Sequence, residues 1–232
     1  MTNNYAIIVG GGRGTRMESQ IPKQFMALNG LPVLMHTLYA FARSKTKPVL
    51  ILVLNHSLME QWNELCVQHA FELPHTIVSG GATRFHSVYN GLNYIKQHFL
   101  INHNDFVAIH DGVRPLISPK IIEIGFNKIV NYPGGLVTAL PSKDSIRMVT
   151  DNTTQALDRS TVFLVQTPQF FSFTTIYSAY QQPYKDQFTD DASVAENAGC
   201  PIEIIQGDTH NIKITFPADL QLAEILMKNT QR

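Results

Sequence analysis

Four glycines fall within five positions in Gly10-Gly11-Gly12-Arg13-Gly14, directly after the apolar run Tyr5–Val9 and before Thr15-Arg16-Met17. Glycines at this density let the main chain approach a ligand closely and reach positive φ. Successive N–H groups in such a turn can cradle phosphate oxygens, and Arg13 and Arg16 add charge and forked donors. The chemistry implied is phosphate binding. Two common versions of it are excluded by spacing. The sixth residue counted from Gly10 is Thr15, and counted from Gly12 it is Met17, so no dinucleotide fingerprint forms. No Gly-Lys-Ser/Thr follows, so the turn is not a P-loop.

Other clusters are weaker alone. In Pro22-Lys23-Gln24 the lysine is either a ligand for a leaving phosphate or a solvated surface group. Gly80-Gly81, Arg84 and Ser87 form a second glycine turn with a cation and a hydroxyl. His110-Asp111-Gly112-Val113-Arg114-Pro115 follows an apolar strand, and the carboxyl ends of such strands are where open α/β sheets collect ligands. There Asp111 suits a ribose hydroxyl or a metal, and Arg114 a phosphate. Asp158-Arg159, Gln166-Thr167-Pro168-Gln169, Thr189-Asp190-Asp191 and Asn211-Ile212-Lys213-Ile214-Thr215 come later. Asp190 and Asp191 open a helix predicted to reach Ala198, a position that favours capping and dipole complement over metal binding. The histidines show no zinc-ligand spacing, and no Gly-Xaa-Ser-Xaa-Gly elbow supports serine acyl transfer.

Alternating elements must position these clusters. Tyr5–Val9, Val49–Leu54, Phe106–Ile109, Leu136–Leu140 and Val162–Val165 read as strands. Val33–Arg43, Leu58–Phe71, Arg84–Phe99, Ile121–Val130 and Pro217–Lys228 carry helical periodicity. The alternation predicts an α/β fold with a mostly parallel central sheet and helices on both faces. Val49–Leu54 is continuously apolar because a parallel strand is buried on both sides. From about 139 to 160 the pattern breaks into polar sequence, with a strand-like piece at Ser145–Val149 and a turn at Asp151-Asn152. A protruding β-arm that packs against a second subunit is expected there.

Length fits one domain spanning 1–232. Eighteen basic residues balance eighteen acidic ones, which removes the electrostatic footprint of a nucleic-acid binder; aromatic-basic RNA motifs are also lacking. No apolar run approaches the ~20 residues of a membrane helix, and no leader is seen. Cys66 and Cys200 read as reduced structural thiols. A cytoplasmic protein is expected, with neither nucleic-acid nor membrane partners.

In this order, the clusters resemble the 2-C-methyl-D-erythritol 4-phosphate cytidylyltransferase family across nearly the whole chain. The resemblance implies a Rossmann-like nucleotidyltransferase sandwich that joins CTP to a sugar-alcohol phosphate and releases pyrophosphate, in isoprenoid precursor synthesis by the non-mevalonate route. Arg16, Lys23, Arg159 and Lys213 are the implied catalytic residues, Arg16 and Lys23 holding the triphosphate. Gly10, Gly11, Gly12, Gly14, Gly81, Ser87, Asp111 and Gly112 are implied in nucleotide binding. Asp111, Arg114, Ser145, Arg159, Thr167, Thr189 and Lys213 are implied in alcohol-phosphate binding, with Ser145 and Arg159 reaching a neighbouring subunit's pocket. The resemblance also implies a homodimer and Mg²⁺ held mainly by the CTP phosphates, without metal ligands from the protein.

The chain departs from the family pattern in three places. Val9-Gly10-Gly11-Gly12 stands for the usual Pro-Ala-Ala-Gly, Gly112-Val113 for Ala-Ala, and Asp144-Ser145-Ile146-Arg147 for Asp-Thr-Xaa-Lys. The first variant is similar to ribitol-5-phosphate cytidylyltransferases, so that reaction is the alternative; a non-catalytic nucleotide-binding homologue is a further one. In either enzyme the attacking group is a phosphate oxygen, already nucleophilic near neutral pH. Catalysis by positioning and electrostatics therefore needs no dedicated base.

Overall fold

A computed structural model describes residues 3–12, 21–151 and 153–230. Its centre is a seven-stranded sheet formed by β1 (Asn4–Val9), β4 (Val49–Leu54), β5 (Thr76–Ser79), β6 (Phe106–Asp111), β7 (Gly135–Pro141), β10 (Phe163–Ser172) and β11 (Ile202–Gln206). Spatial order is β11-β7-β10-β6-β1-β4-β5. All neighbours are parallel except β10, which runs against both β6 and β7. The order reverses around β1, which makes the carboxyl ends of β1, β4 and β6 a natural crevice.

Alternation along the strands divides the core. Ala6, Ile8, Leu50, Leu52 and Leu54 face α1 (Val33–Arg43), α2 (Met59–Gln68) and α4 (Pro119–Ile129). Tyr5, Ile7, Ile51, Val53, Val107 and Ile109 face α3 (Arg84–His98), α5 (Phe173–Ala179) and α6 (Asp191–Asn197). In α1, Leu34, Leu38 and Phe41 are fully buried, the stripe that its periodicity predicts. A third cluster joins the small hairpin β2 (Ala27–Leu28) and β3 (Leu31–Pro32) to α7 (Pro217–Thr230) through Leu28, Val33, Val113, Ile214 and Ala223.

The polar stretch contains the hairpin β8 (Ile146–Thr150) and β9 (Thr153–Leu157), paired antiparallel. Asp151 at its tip takes φ +51°. The arm exposes Met148, Val149 and Leu157, and its base adds Phe163, Leu164 and Val165.

Four of the expected strands are too short. β1 already begins at Asn4. β6 continues through Asp111, β7 gains a residue at each end, and β10 runs on to Ser172. β5, α5 and β11 have no counterpart in the expected element set. These are short segments whose burial comes from their neighbours, and their own apolar pattern is brief.

Candidate active site

The parallel strands deliver their following residues to one place. Val9 through Gly12 leave β1, Asn55 leaves β4, Gly81 lies two residues beyond β5, and Asp111 ends β6. These segments line a cavity of about 520 Å³ together with Lys23, Gln24, Thr83, Arg84, Ser87, Val113 and Lys213. A second cavity, about 280 Å³, is lined by Arg114, Gln166, Thr167, Gln169, Thr189 and Asp190 among others. Arg84, Asp111 and Lys213 belong to both. The larger volume suits a small-molecule ligand, for which such sites run roughly 300–1,000 Å³.

The glycine turn works through space. Gly10, Gly11 and Gly12 do not adopt positive φ, contrary to the expectation drawn from their density. Gly10 N–H donates to the Val53 carbonyl (2.9 Å), and Gln24 Nε2 donates to the Gly10 carbonyl (2.7 Å). Among the described residues the N–H groups of Gly11 and Gly12 have no partner, and a Cβ on Gly12 would meet nothing within 4 Å. A ligand can therefore lie directly against this main chain. Gly14 and Arg16 fall outside the described residues.

In the second turn, Ser87 Oγ accepts from Gly81 N–H (3.2 Å) and donates to the Thr83 carbonyl (2.9 Å). Thr83 caps α3, accepting from His86 N–H. The α3 N-terminus thus opens on the first cavity with its partial positive charge. Gly112 is absent from both linings; a Cβ there would come 2.8 Å from Leu34 Cδ1, so its glycine reflects packing against α1.

Asp111 is the hub. Its carboxylate contacts Lys213 Nζ at 2.9 Å, Arg84 Nε at 3.3 Å and Arg114 Nε at 3.6 Å. Burial works against its charge, but Arg84, then Lys213 and Arg114, outweigh burial and hold it well below the usual carboxylate range. Arg84 also forks onto Asp191, with Nη1 to Oδ1 at 2.9 Å and Nη2 to Oδ2 at 2.7 Å. Burial opposes the Arg84 charge, yet Asp191 and then Asp111 keep its pKa well above normal. Of the acidic pair, Asp190 alone caps α6, in a reciprocal box with Ser193, and it accepts from Gln169 Nε2 at 2.8 Å. Asp191 serves Arg84.

The segment from Asn211 to Thr215 threads between these parts as a clasp. Arg114 Nη1 donates to the Asn211 carbonyl (2.8 Å) and Lys23 Nζ to the Ile214 carbonyl (3.1 Å). Ile214 N–H donates to the Val113 carbonyl (2.9 Å), and Asn211 Nδ2 to the Thr167 carbonyl (2.8 Å). Thr167 reaches the site because the β7–β10 register shifts between Val165 and Gln169, a bulge of the kind that re-aims side chains beside active sites.

Thr167 Oγ1 accepts from Asp111 N–H (3.0 Å) and lies 3.1 Å from His110 Nδ1. His110 Nε2 lies 3.2 Å from the Arg114 carbonyl. The carbonyl requires a donor, so the network assigns the proton to Nε2 and leaves Nδ1 accepting from the Thr167 hydroxyl. Burial, only partly countered by Asp111, pushes the His110 pKa down to about 3. The unfolded chain protonates this histidine near pH 6.5 while the folded protein does not. Its stabilising contribution is therefore complete above pH 6.5 and declines as pH falls towards 3, by about 1.4 kcal/mol per pH unit. Burial lowers His36 and His75 in the same direction. The melting temperature is expected to drop between pH 7 and pH 5, and His110→Gln to flatten that limb in calorimetric scans.

Lys23, Gly10 through Gly12, Gly81, Ser87, Asp111 and Lys213 line the larger cavity; Asp111, Arg114, Thr167, Thr189 and Lys213 line the smaller one. Ser145 and Arg159 line neither. Both are exposed, and Arg159 Nη1 donates to the Lys143 carbonyl at the arm's base (3.1 Å). Gln24, Asn55, Thr83, Gln166 and Gln169 line the cavities without having stood out as single residues. Arg84 stood out only within its motif.

The sequence profile of the family IspD, 2-C-methyl-D-erythritol 4-phosphate cytidylyltransferase, matches residues 5–229. The chain belongs to this family. Among curated cytidylyltransferases of that name, the one from Azobacteroides pseudotrichonymphae is 44% identical over 228 residues, covering 98% of this chain and all of that protein. The one from Bacteroides fragilis is 43% identical, with 96% of this chain and 98% of that protein covered. Among solved structures, the 4-diphosphocytidyl-2C-methyl-D-erythritol synthase from Anaerococcus prevotii superposes with a TM-score of 0.81 at 27% identity, covering 98% of this chain and 96% of that one. The Francisella tularensis cytidylyltransferase gives 0.77 at 30% identity, covering 96% and 99%. The Rossmann-like α/β architecture implied by the resemblance is thus that of the solved family members.

Proposed function

We propose that the chain transfers the cytidylyl group of CTP to 2-C-methyl-D-erythritol 4-phosphate, giving 4-diphosphocytidyl-2-C-methyl-D-erythritol and pyrophosphate for isoprenoid precursor synthesis. The observation that carries this reading is the family match over residues 5–229. The two adjoining cavities that share Arg84, Asp111 and Lys213 support it. The ribitol 5-phosphate reaction and the non-catalytic reading are less favoured, since both curated relatives described above carry the methylerythritol phosphate name.

A phosphate oxygen of the alcohol substrate attacks the α-phosphorus of CTP. A new P–O bond forms, the α–β bridging P–O bond breaks, and its electron pair leaves on pyrophosphate. The larger cavity takes the nucleotide against Gly10–Gly12, Gly81 and Ser87, with Lys23 positioned for the triphosphate and Arg16 assigned there by family resemblance. The smaller cavity takes the alcohol phosphate beside Arg114, Thr167 and Thr189, and Lys213 stands between the two anions. Fixed cations facing developing charge supply the electrostatic stabilisation that such transfers require.

Mg²⁺ belongs to the proposal as a companion of the nucleotide. Asp111 is already engaged by three cations and Asp190 by its helix cap and Gln169. The described residues contain no cluster of three or more metal-ligating side chains. The engagement of both carboxylates fits an ion that phosphate oxygens would carry, where it would offset their mutual repulsion. A cytoplasmic location is part of the proposal because CTP is an intracellular nucleotide. No helix among the described residues is long and apolar enough to cross a membrane.

A homodimer is also part of the reading. The exposed apolar side chains of the arm and its base support it, as does the exposure of Arg159 away from its own cavities. In a dimer whose arm completes the neighbouring pocket, Arg159→Ala weakens the alcohol phosphate more than CTP, by roughly tenfold or more in KM, the scale of a charge-assisted hydrogen bond. Equal losses for both substrates would argue against a shared pocket. The function itself is tested by pyrophosphate release with CTP and Mg²⁺, comparing 2-C-methyl-D-erythritol 4-phosphate with ribitol 5-phosphate. Preference for ribitol 5-phosphate would overturn the substrate, and silence with both would overturn the enzymatic reading.

A further inference from the structure

Asp191 lies deeper than either cavity and lines neither, with no exposed surface. Its two oxygens take three donors: Oδ1 accepts from Arg84 Nη1 and from the Tyr180 hydroxyl (2.6 Å), and Oδ2 accepts from Arg84 Nη2. None of these is an N–H of its own helix, whose capping falls to Asp190. A buried ion pair is a poor means of gaining stability, because desolvating the charges offsets most of their attraction. What the fork does supply is geometry. Two parallel N–H···O bonds fix the plane of a guanidinium, and with that plane fixed, Arg84 Nε points at Asp111 Oδ1. Asp111 is the carboxylate on which Lys213 and Arg114 converge.

We infer that Asp191 is a positioning residue for cytidylyl transfer, acting through Arg84 to fix Asp111 where the two substrate cavities meet. The inference rests on the functional reading above. With Asp191 neutral, Arg84 has Asp111 as its remaining anion here. It turns to take a larger share of that carboxylate and displaces Lys213 and Arg114 from it. The disturbance then reaches both substrates, although Asp191 lines neither pocket.

The test is a double-mutant cycle in the full-length protein. Steady-state kinetics for CTP and the alcohol phosphate are measured well below each variant's melting temperature. Asp191→Asn is expected to lower kcat/KM by roughly 10–100-fold, the cost of small misplacements at a reacting centre, with KM rising for both substrates. Asp191→Glu, which keeps the charge, recovers most of the loss. Adding Arg84→Gln to Asp191→Asn costs no more than the worse single change. The inference is overturned if Asp191→Asn stays within about twofold of wild type, or if the two losses multiply, since independent sites add within that margin. A loss confined to one substrate overturns it too.

Should Asp191→Asn fail to fold, Tyr180→Phe removes one donor from the same carboxylate. A rise in both KM values supports the inference, and unchanged values for both substrates overturn it. If the wild type itself transfers no cytidylyl group, the functional reading fails separately. Calorimetric titration with CTP then decides about Asp191: weaker binding in Asp191→Asn with recovery in Asp191→Glu supports the relay, and unchanged binding overturns it.

Discussion

Replacing Lys23 by alanine is expected to lower turnover by roughly 10²–10³-fold, the scale for removing one preorganised donor aimed at developing charge. The residue is only 8% exposed, and a lysine with so little access to water is held there by its surroundings. One of its anchors is the Ile214 carbonyl at 3.1 Å, and it faces the larger cavity beside Gly10–Gly12. When charge builds on the departing pyrophosphate, this group is already oriented and partly desolvated. The loss should appear in kcat at saturating CTP, because the interaction strengthens in the transition state. Single-turnover measurements would separate this from slow product release. Turnover within a few-fold of wild type would make Lys23 a structural tie between the 3₁₀ turn Lys23–Phe25 and the clasp.

Neutralising Asp111 is expected to damage both stability and catalysis. Asp111→Asn leaves Arg114 and Lys213 without the carboxylate they share, while Arg84 keeps only Asp191. Removing one partner of a buried ion pair costs roughly 3–5 kcal/mol. The lower end applies here, because Lys213 and Arg84 remain 41% and 28% exposed and water screens them. The affected cations belong to both pockets, so kcat/KM for both substrates should fall by roughly 10²-fold. High salt should restore part of the stability by screening the cations, and little of the activity. Denaturant titration paired with kinetics in the same buffers checks this. Preserved kinetics with stability lost would reduce Asp111 to a structural role.

The central strands and helices were legible because periodicity reports burial on one face or two. Val33–Arg43 and Val49–Leu54 coincide with α1 and β4. The short β5 and β11 were not legible, since a strand of four or five residues carries too little pattern of its own. The site divides in a similar way. Glycine turns, Lys23, Asp111, Arg114, Thr167, Thr189 and Lys213 carry recognisable chemistry in recognisable settings. Gln166 and Gln169 depend on a register shift in β10, which no local pattern encodes. The partnership of Arg84 with Asp191 spans 107 positions. Two adjacent acidic residues at a helix start read as capping, and only the fold shows that one of them faces elsewhere. The glycine turn also corrects a local inference, since Gly10, Gly11 and Gly12 allow close approach without positive φ.

The clasp has a consequence for synthesis of the protein. Asp111 and Lys213 are separated by 102 positions (213 − 111), and Lys23 meets Ile214 across 191. A ribosome adding ~5–20 residues per second needs on the order of 5–20 s to pass from the first carboxylate to its last counter-ion. Through that interval the nascent chain lacks one of the three cations that meet Asp111. Only when the final segment emerges does Lys213 reach Asp111 and Ile214 receive Lys23. The same segment supplies Lys213 to both cavities, so an unfinished chain lacks that cation in each of them.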